Sequence, residues 1–430
     1  MFQLILLVSF SALAIAGVLV FALAIGGGES NTIGAVKVWG TLDQNAFSAV
    51  IRQSSESNGQ LTQVTYEQKD PATYEADLTN ALASGTGPDL FLLRQDYAMK
   101  DAAKTFVIPL SALTPAQFES TFIEAARPFL GQSGVIAVLL LADPLILYWN
   151  KDMLASAGYA QPPKYWDELF DMAQKISKRN DSGMVVRSAI AMGEYKNVTN
   201  AKDILATLIL QAGGEITAFD NAGHLTPALS PRAGAAGVST QASVSALRFY
   251  TEFADPSKND YSWNRSLPES QKAFAAGDVA LYIGYASEES LIARINPNLN
   301  YSVAPIPQVR AAENALNTAR VSGLAASRSG KNPNAAITAA FLLVSADTAG
   351  PLSIALGIPS ARRDLVSKPA QGNDDLFNKQ AILAHSWVDP DPVATAGVFQ
   401  AMIENTTSGA LLVAEAVQRA DQELAHILGL

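Results

Sequence analysis

The sequence predicts an α/β fold, because short apolar strands alternate with helices along most of its length. Residues 36–93 contain strands at 36–39, 64–67 and 90–93, with polar turns and helical spacing between them. Residues 266–285 contain a helix, a glycine and a strand without polar alternation, which is typical of a strand covered on both faces. Both patterns favour a mainly parallel sheet with right-handed crossovers.

The helices in the first region are delimited by polar caps and glycine. Asp43 is an N-cap candidate for a helix over 44–57. Apolar residues at helical spacing over 74–82 stop at Gly85, a residue suited to ending a helix. We therefore predict two strand–turn–helix units before the strand at 90–93.

The segment 266–285 is the most clearly punctuated part of the chain. Ser266 and Glu269 have the spacing of a capping box, and Gly277 can take the left-handed conformation that ends a helix. The strand that follows carries Tyr285 and Ser287 to its carboxyl end. Open α/β sheets bind ligands at that end of their strands, so both residues are candidates for a site.

The rest of the chain continues the same alternation. Gly357-Ile358-Pro359-Ser360 is a sharp extended break between helices. The remaining predicted elements are a strand at 146–149, helices over 165–178, 201–212 and 242–253, strands at 301–305 and 321–325, and helices over 333–343, 347–356, 392–403 and 411–428.

The N-terminal residues 1–28 predict a transmembrane anchor or a signal sequence. Leu4 to Ile25 contains no charge, and a helix of this length spans about 33 Å against a hydrocarbon core of about 30 Å. The apolar run is longer than the usual signal core, which favours an uncleaved anchor over cleavage after Ala24. We expect the body on the outer side of the cytoplasmic membrane, anchored by this helix, or secreted or periplasmic if the segment is cleaved.

Composition restricts the function. The net charge is −10 and no dense basic cluster is present, which argues against a nucleic-acid surface and suits a neutral ligand better than an anionic one. Cysteine is absent, which excludes disulfides, zinc–thiolate sites, iron–sulfur clusters, a cysteine nucleophile and a lipid-modified N-terminal cysteine.

No reaction centre is apparent in the sequence. The three histidines are scattered without metal-ligand spacing, and no nucleophile elbow, phosphate-binding loop or dinucleotide fingerprint occurs. We therefore expect no catalytic residue, metal or cofactor. One enzymatic alternative stays open, a carbohydrate-active enzyme in which Asp89, Asp96 and Glu194 converge as a carboxylate pair would.

Several segments, in one order, resemble the family of extracellular sugar-binding proteins that serve ABC importers, the maltodextrin-binding type. The resemblance covers residues 36–430. The matching segments are Lys37-Val38-Trp39, 82–90 (LASGTGPDL), 147–154 (LYWNKDML), 162–169 (PPKYWDEL), 273–285, 304–307 (APIP) and 357–360 (GIPS).

The resemblance implies a two-lobe periplasmic-binding-protein fold with three inter-lobe crossings, whose lobes close on a ligand by a hinge motion. Lobe 1 would comprise 36–140 plus 324–357, and lobe 2 would comprise 141–323 plus 358–430. The implied function is a monomeric receptor that captures a neutral sugar or oligosaccharide and delivers it to ABC permease subunits. A non-transport sensor or adhesion receptor on the same fold is a further alternative.

A sugar presents apolar C–H faces and rows of hydroxyls, so its pocket needs flat aromatic rings and fixed polar groups. Carried onto this chain, the resemblance and the strand ends give a set of candidate ligand-binding residues: Trp39, Asp89, Asp96, Tyr148, Glu194, Tyr285, Ser287, Arg362 and Trp387.

The polar candidates and Trp39 each have a structural alternative. Trp39 can instead pack under the first helix, and Asp89 can serve the turn before its strand. Asp96 can pair with Arg94, two residues before it. Glu194 is a candidate for the rim of the site, in a loop of the second lobe.

The other aromatic candidates are also open. Tyr148 and Trp149 are successive residues of one strand and point to opposite sides, so only one is expected to face the ligand. Tyr285 is the leading aromatic candidate, although the family often carries a tryptophan within a few positions. Trp387 can instead pack under the last two helices, and Arg362 can extend into solvent.

Overall fold

A computed structural model describes residues 33–230, 238–310, 312 and 314–430. The predicted anchor or signal at 1–28 lies outside the described residues. The chain divides into a first unit, up to Asp143 together with Arg320–Asp374, and a second unit, Pro144–Ala319 with Asp375–Leu430. The observed boundaries between the units thus follow residues 143, 319 and 374, whereas the sequence analysis placed the boundaries between the lobes after residues 140, 323 and 357.

Segment 358–374 belongs to the first unit because specific contacts hold it there. Arg362 forms an antiparallel bridge with Phe122. Arg363 Nε donates to the carbonyl oxygens of Glu119 and Phe122 at 3.0 and 2.6 Å. Hydrogen bonds between distant residues of this kind leave no signal in a local sequence pattern.

The strands are short except for two that contain a unit boundary. They are β1 Val36–Gly40, β2 Val64–Gln68, β3 Leu90–Arg94, β4 Ile108–Pro109, β5 Leu130–Gly131, β6 Gly134–Val135, β7 Val138–Asn150, β8 Lys178–Arg179, β9 Val185–Ile190, β10 Thr217–Phe219, β11 Leu225–Pro227, β12 Val279–Tyr285, β13 Tyr301–Ala304, β14 Asn317–Ala326 and β15 Ala384–His385.

The α-helices of the described residues lie between and after these strands along the chain. They are α1 Gln44–Ser57, α2 Tyr74–Ser84, α3 Ala98–Asp101, α4 Pro115–Thr121, α5 Lys151–Ser156, α6 Glu168–Ile176, α7 Ala201–Gln211, α8 Val238–Glu252, α9 Ser270–Ala276, α10 Glu289–Ile295, α11 Pro333–Leu343, α12 Ala346–Leu356, α13 Arg363–Val366, α14 Asn373–Ile382, α15 Pro392–Thr407 and α16 Val413–Ile427.

The first unit contains the strand order β2-β1-β3-β14. β1 is parallel to β2 and to β3, whereas β14 joins β3 antiparallel, with Gly323 opposite Leu93. The α/β prediction is confirmed, but the sheet is mixed rather than mainly parallel. The helix after β1 begins where predicted, since the Asp43 side chain accepts a hydrogen bond from Ala46 N at 2.8 Å.

The second unit is built on β7, β12, β9 and β8 in that order, with β13 on the other side of β7. β12 is antiparallel to β7 and parallel to β9. All seven residues of β12 are buried, as its continuous apolar sequence predicts. The core of this unit is a single hydrophobic cluster that includes β12 and the inward faces of helices α7, α15 and α16.

The helix before β12 starts later than the sequence predicts. The expected Ser266–Glu269 capping box does not form, because Asn264 Oδ1 takes both the backbone N–H and the hydroxyl of Ser266. Helix α9 therefore begins at Ser270, with Glu269 as an N-cap that makes no side-chain cap bond. Its end is confirmed at Gly277, whose φ of +89° only glycine adopts without strain.

Helix α6 also begins later than predicted, at Glu168 rather than residue 165. Tyr165 forms a parallel bridge with Gln308, and Trp166 N donates to Gln308 O at 3.1 Å. These tertiary bonds keep the chain extended where the helical pattern alone favours an earlier start.

Among the described residues, no single helix has the length and apolar content to cross a membrane. Helices α11 and α12 have the required length and apolar content only when they are taken together, and the pair is bent by 66°.

A buried carboxyl pair makes the stability of the first unit depend on pH. Burial, and then the hydrogen bond and charge of Asp101, raise the pKa of Glu75 from 4.5 to about 8, against the opposing charges of Lys104 and Arg94. Asp101 is almost fully buried, and Lys104 Nζ lies 2.7 Å from its Oδ1. Glu75 therefore stays protonated in the folded protein well above the pH at which it ionises in the unfolded chain.

We expect Glu75→Gln to stabilise the protein increasingly as pH rises. Above pH 4.5 the unfolded chain loses the Glu75 proton while the folded protein keeps it, so stability falls up to the folded pKa of about 8. Glutamine removes this dependence. Urea unfolding at about pH 5 and about pH 8 measures the effect, with exposed Glu56→Gln as the control. A difference from the unsubstituted protein that stays constant over this range contradicts the prediction.

Candidate functional site

The sequence-predicted residues fall in both units. The first unit contains Trp39, Asp89, Asp96 and Arg362, and the second contains Tyr148, Glu194, Tyr285, Ser287 and Trp387.

Trp39 lies in β1 and is buried. Its Nε1 donates to Glu67 Oε2 at 2.8 Å, and Lys69 Nζ lies 3.7 Å from the ring centroid. The Lys69 ammonium also bonds Glu67 at 2.6 Å, and this bond lowers the pKa of the Glu67 carboxyl. The Trp39 indole N–H and one face of its ring thus already have partners, Glu67 and Lys69, within the first unit.

Asp89 and Asp96 lie at opposite ends of β3, a five-residue strand that spans about 16 Å. At the amino end, Asp89 Oδ2 accepts from Lys37 N at 2.9 Å and ties β3 to the start of β1. At the carboxyl end, Asp96 is in a turn and pairs with Arg94 through both carboxylate oxygens. Of the two, Asp96 occupies the end where α/β sheets bind ligands.

Arg362 is only 6% exposed and does not extend into solvent. Its Nε and Nη2 each donate to Asp364 at 2.9 Å, and Nη1 donates to Val344 O at 3.2 Å. These bonds join the segment before α13 to the end of α11.

Tyr148 and Tyr285 are brought together in the core of the second unit. Tyr148 is fully buried, and its hydroxyl donates to Tyr285 O at 2.6 Å. The Tyr285 side chain is 2% exposed and belongs to the same hydrophobic cluster. Trp149, on the other side of β7, is only partly buried. Both tyrosines that the sequence analysis proposed for the ligand therefore pack as core residues here.

The turn after β12 is fixed by a carboxylate that the sequence analysis missed. Glu288 accepts hydrogen bonds from the side chains of the residue before α7, of a residue in α9 and of a residue in β12, and from the backbone at the end of β12. The donors are Asn200 Nδ2 at 3.0 Å, Gln271 Nε2 at 2.5 Å, Tyr282 Oη at 2.5 Å and Tyr285 N at 3.0 Å. Half-buried Ser287 lies in this turn, at the carboxyl end of β12.

The loop after β9 holds Glu194 and Tyr195. Glu194 is buried, and its carboxylate accepts from Arg265 Nη2 at 3.1 Å. Tyr195 is partly buried against the core, and burial raises the pKa of its phenol. Gly193, just before them, has a φ of +102°, and a Cβ there would lie 2.6 Å from the Ala254 Cβ. Glycine is therefore required for this loop to reach its position.

Trp387, like partly buried Trp149, differs from the other three tryptophans in having no acceptor for its indole N–H among the described residues. It is partly buried and stacks on Phe399, with ring centroids 6.2 Å apart and an interplanar angle of 27°. Trp39, Trp166 and Trp263 donate Nε1 to side-chain oxygens. Trp387 Nε1 has no acceptor among the described residues. An indole ring whose N–H has no acceptor within the described part of the protein is suited to stack on a sugar and to donate a hydrogen bond to a sugar hydroxyl.

Two of the carboxylates named for the enzymatic alternative, Asp89 and Asp96, do not form a pair. In the described part of the chain, no group of three or more histidine, aspartate or glutamate residues is placed to hold a metal ion. Asp89 and Asp96, at opposite ends of a strand of about 16 Å, are farther apart than the roughly 5–9.5 Å of a glycosidase pair.

Comparison with known proteins identifies the class. Residues 45–348 match the family model for bacterial extracellular solute-binding proteins. The chain belongs to this family, and it has the α/β two-lobe solute-binding-protein fold. The resemblance drawn from the sequence is confirmed.

Solved structures with this fold include several sugar-binding proteins. The cyclic α-maltosyl-1,6-maltose binding protein of Arthrobacter globiformis has a TM-score of 0.74 and 16% identity, over 92% of this chain and 98% of that one. The sugar-binding protein MalE of Xanthomonas citri has a TM-score of 0.72 and 19% identity, over 92% and 97%. At these identities the likeness shows the fold alone.

Curated relatives share shorter stretches. A Brucella abortus protein named only as a binding protein is 25% identical over 241 residues, which are 54% of this chain and 52% of that protein. A maltotriose-binding protein of Pyrococcus abyssi is 24% identical over 151 residues, 34% of this chain and 32% of that one. An ABC transporter-binding protein of Deinococcus radiodurans is 32% identical over 111 residues, 24% and 26%. The chain spans about half the length of the first of these relatives.

We expect Tyr285→Ala to destabilise the protein without any sugar present. Removing a ring from a filled core costs about 3–5 kcal/mol, and the Tyr285 ring is part of the second unit's core. Urea unfolding of the unliganded protein measures the loss, and Tyr285→Phe, which keeps the ring, should lose much less. Unchanged stability with weakened sugar binding would show instead that the ring faces the ligand.

We expect Gly193→Ala to destabilise the protein more than Gly183→Ala. Both glycines have a positive φ, but a Cβ on Gly183 has nothing within 4 Å, whereas one on Gly193 meets Ala254. Gly183→Ala should therefore cost about 1–2 kcal/mol from backbone strain alone, and Gly193→Ala should add the cost of the clash. Thermal unfolding of both variants gives the comparison, and equal losses contradict it.

Proposed function

We propose that this protein is an extracytoplasmic receptor that binds a neutral sugar or oligosaccharide and delivers it to the permease of an ABC transporter. The observation that carries the proposal is the Trp387 indole, partly buried, stacked on Phe399 and with its N–H unspent among the described residues. The names of the relatives support it, because several are sugar-binding proteins and one is an ABC transporter-binding protein.

Three of the predicted residues remain the best candidates for direct contact with the sugar. Trp387 offers a ring face and an N–H, half-buried Ser287 offers a hydroxyl, and Asp96 offers a carboxylate already ordered by Arg94. Carboxylates and hydroxyls of this kind bind sugar hydroxyls through hydrogen bonds. Partly buried Tyr195, in the loop after β9, adds a phenol to the second-unit candidates.

The remaining candidates support the site through packing in this proposal. Trp39, Asp89, Glu194 and Arg362 each have their polar groups bonded within their own unit. Tyr148 and Tyr285 fill the core beneath the turn that carries Ser287.

The proposal includes two further steps. As the family resemblance implies, the lobes of the receptor close on the sugar by a hinge motion, and binding favours closure because only the closed state makes both sets of contacts. The receptor acts on the outer side of the cytoplasmic membrane, held there by the apolar segment 4–25 or released from it by cleavage.

A sugar panel tests the proposal against an enzyme. We expect at least one of maltotriose, maltotetraose, mannotriose or tagatose to stabilise the chain from Glu29 onward. A ligand at a hundredfold excess over Kd adds about 2.7 kcal/mol to folding stability. Thermal shift and calorimetry measure stoichiometric binding, and chromatography follows the sugar. Sustained hydrolysis supports the enzyme alternative, and stabilisation only by peptides or osmolytes refutes the sugar assignment.

We expect Trp387→Ala to weaken binding of the stabilising sugar about tenfold, or about 1.4 kcal/mol, because a stacking face and a donor are lost. Calorimetric titration measures Kd. Phe219→Ala, which removes a ring that is 63% exposed in the same unit, is the matched control and should leave Kd unchanged. Equal Kd values for the Trp387 variant and the unsubstituted protein would remove Trp387 from the site.

A further inference from the structure

A buried lysine lies beside Trp387. Lys202 is in the first turn of α7, and its side chain is only 16% exposed. Its Nζ lies 2.6 Å from Asp389 Oδ2 and 2.6 Å from Thr395 Oγ1, and it donates to Pro392 O at 3.4 Å. The ammonium group is thus largely shielded from water and has three acceptors in the segment that follows Trp387.

The partner carboxylate is more deeply buried than the lysine. Asp389 is 2% exposed and accepts from Thr395 Oγ1 at 2.9 Å and from Asp391 N at 3.2 Å, in addition to Lys202. Burying an ion pair brings little net stability, because the desolvation of both charges offsets their attraction. Such a pair is better explained by the geometry that it imposes on its neighbours.

The Lys202–Asp389 pair restricts the position of the Trp387 indole. Lys202 Nζ lies 5.3 Å from the centroid of that ring, within the range of a cation–π contact. Two residues further on, Asp389 anchors the same stretch of backbone to the ammonium. The intervening Val388 O accepts from Thr217 Oγ1 at 2.7 Å. Residues 387–389 are therefore held at the ring, at the carbonyl and at the carboxylate.

We propose that Lys202 is a positioning residue that fixes the Trp387 indole and thereby sets the affinity of the protein for a sugar. Its ammonium contacts the ring directly and holds Asp389 through a buried ion pair. The inference rests on the proposed function, since it assigns Trp387 a contact with the sugar. Lys202 itself is not required to touch the sugar.

Fluorescence of the unliganded protein tests the positioning step without any sugar. Acrylamide quenching is measured for the unsubstituted protein and for Lys202→Met, each with and without Trp387→Phe. The difference between the paired curves isolates the Trp387 emission. We expect Lys202→Met to increase the quenching of this component about twofold and to change nothing in the Trp387→Phe background. Unaltered quenching overturns the positioning role.

Binding of maltotriose tests the second step in the same four proteins. We expect Lys202→Met alone to raise Kd about tenfold, and to have no further effect when Trp387→Phe is already present. Lys202→Arg, which keeps a cation and its donors, should recover most of the affinity. The claim on affinity is overturned if Trp387→Phe raises Kd whereas Lys202→Met alters the quenching but leaves Kd unchanged.

Two controls separate this inference from folding and from the proposed function. The Lys202→Met variant unfolds if the buried Asp389 carboxylate cannot be left unpaired. In that case the double variant Lys202→Met with Asp389→Asn, which removes both charges, is used instead of Lys202→Met in each measurement. If the unsubstituted protein binds no saccharide, the proposed function fails, and with it the claim on affinity. The fluorescence result then still decides whether Lys202 fixes the indole.

Discussion

The Glu288 carboxylate is the interaction on which the end of the central strand of the second unit depends. It accepts from Asn200, Gln271, Tyr282 and the backbone of Tyr285, so one side chain joins the regions of α7, α9 and β12. A half-buried carboxylate loses part of its hydration and needs hydrogen-bond donors in place of water, and this one has four. The position of the turn that carries Ser287 follows from that requirement rather than from the local preference of the turn itself.

The same requirement separates the aromatic residues into structural and accessible ones. Trp39 has its N–H bonded to Glu67 and a cation beside its ring, and Tyr148 has its hydroxyl bonded to the backbone of Tyr285. Trp387 keeps its indole N–H unspent among the described residues and is only partly buried. Polar groups that are already satisfied gain little from a ligand, so the hydrogen-bond partners of an aromatic residue are informative about its role.

The sequence predicted elements well where the determinants are local. Helix α11 has the predicted bounds, because Asn332 caps it through Ala335 N and Pro333 fits its first turn. The capping box at Ser266 failed because Asn264, two residues away, offers a nearer acceptor.

The candidate site was less predictable, for two physical reasons. Every residue of β12 is buried, so the alternation that normally separates inward from outward side chains carries no information about Tyr285. Glu288 and Lys202 act through partners distant in sequence, such as Asn200 for the first and Asp389 for the second. The signal available in the sequence was a carboxylate three residues after the end of an apolar strand, and it becomes meaningful only when its donors are known.

Enclosure of the Lys202–Asp389 pair also has a consequence for the surroundings in which such a protein works. Mobile ions screen exposed charges over about 8–10 Å, but they act far less on charges removed from water. The exposed Arg127–Glu119 pair should weaken as the medium becomes saltier, whereas the pair at Lys202 should not. A receptor outside the cytoplasmic membrane, as we propose this protein to be, cannot regulate the salinity around it. If Lys202 fixes the Trp387 indole as we propose, the indole keeps its orientation at low and at high salt alike.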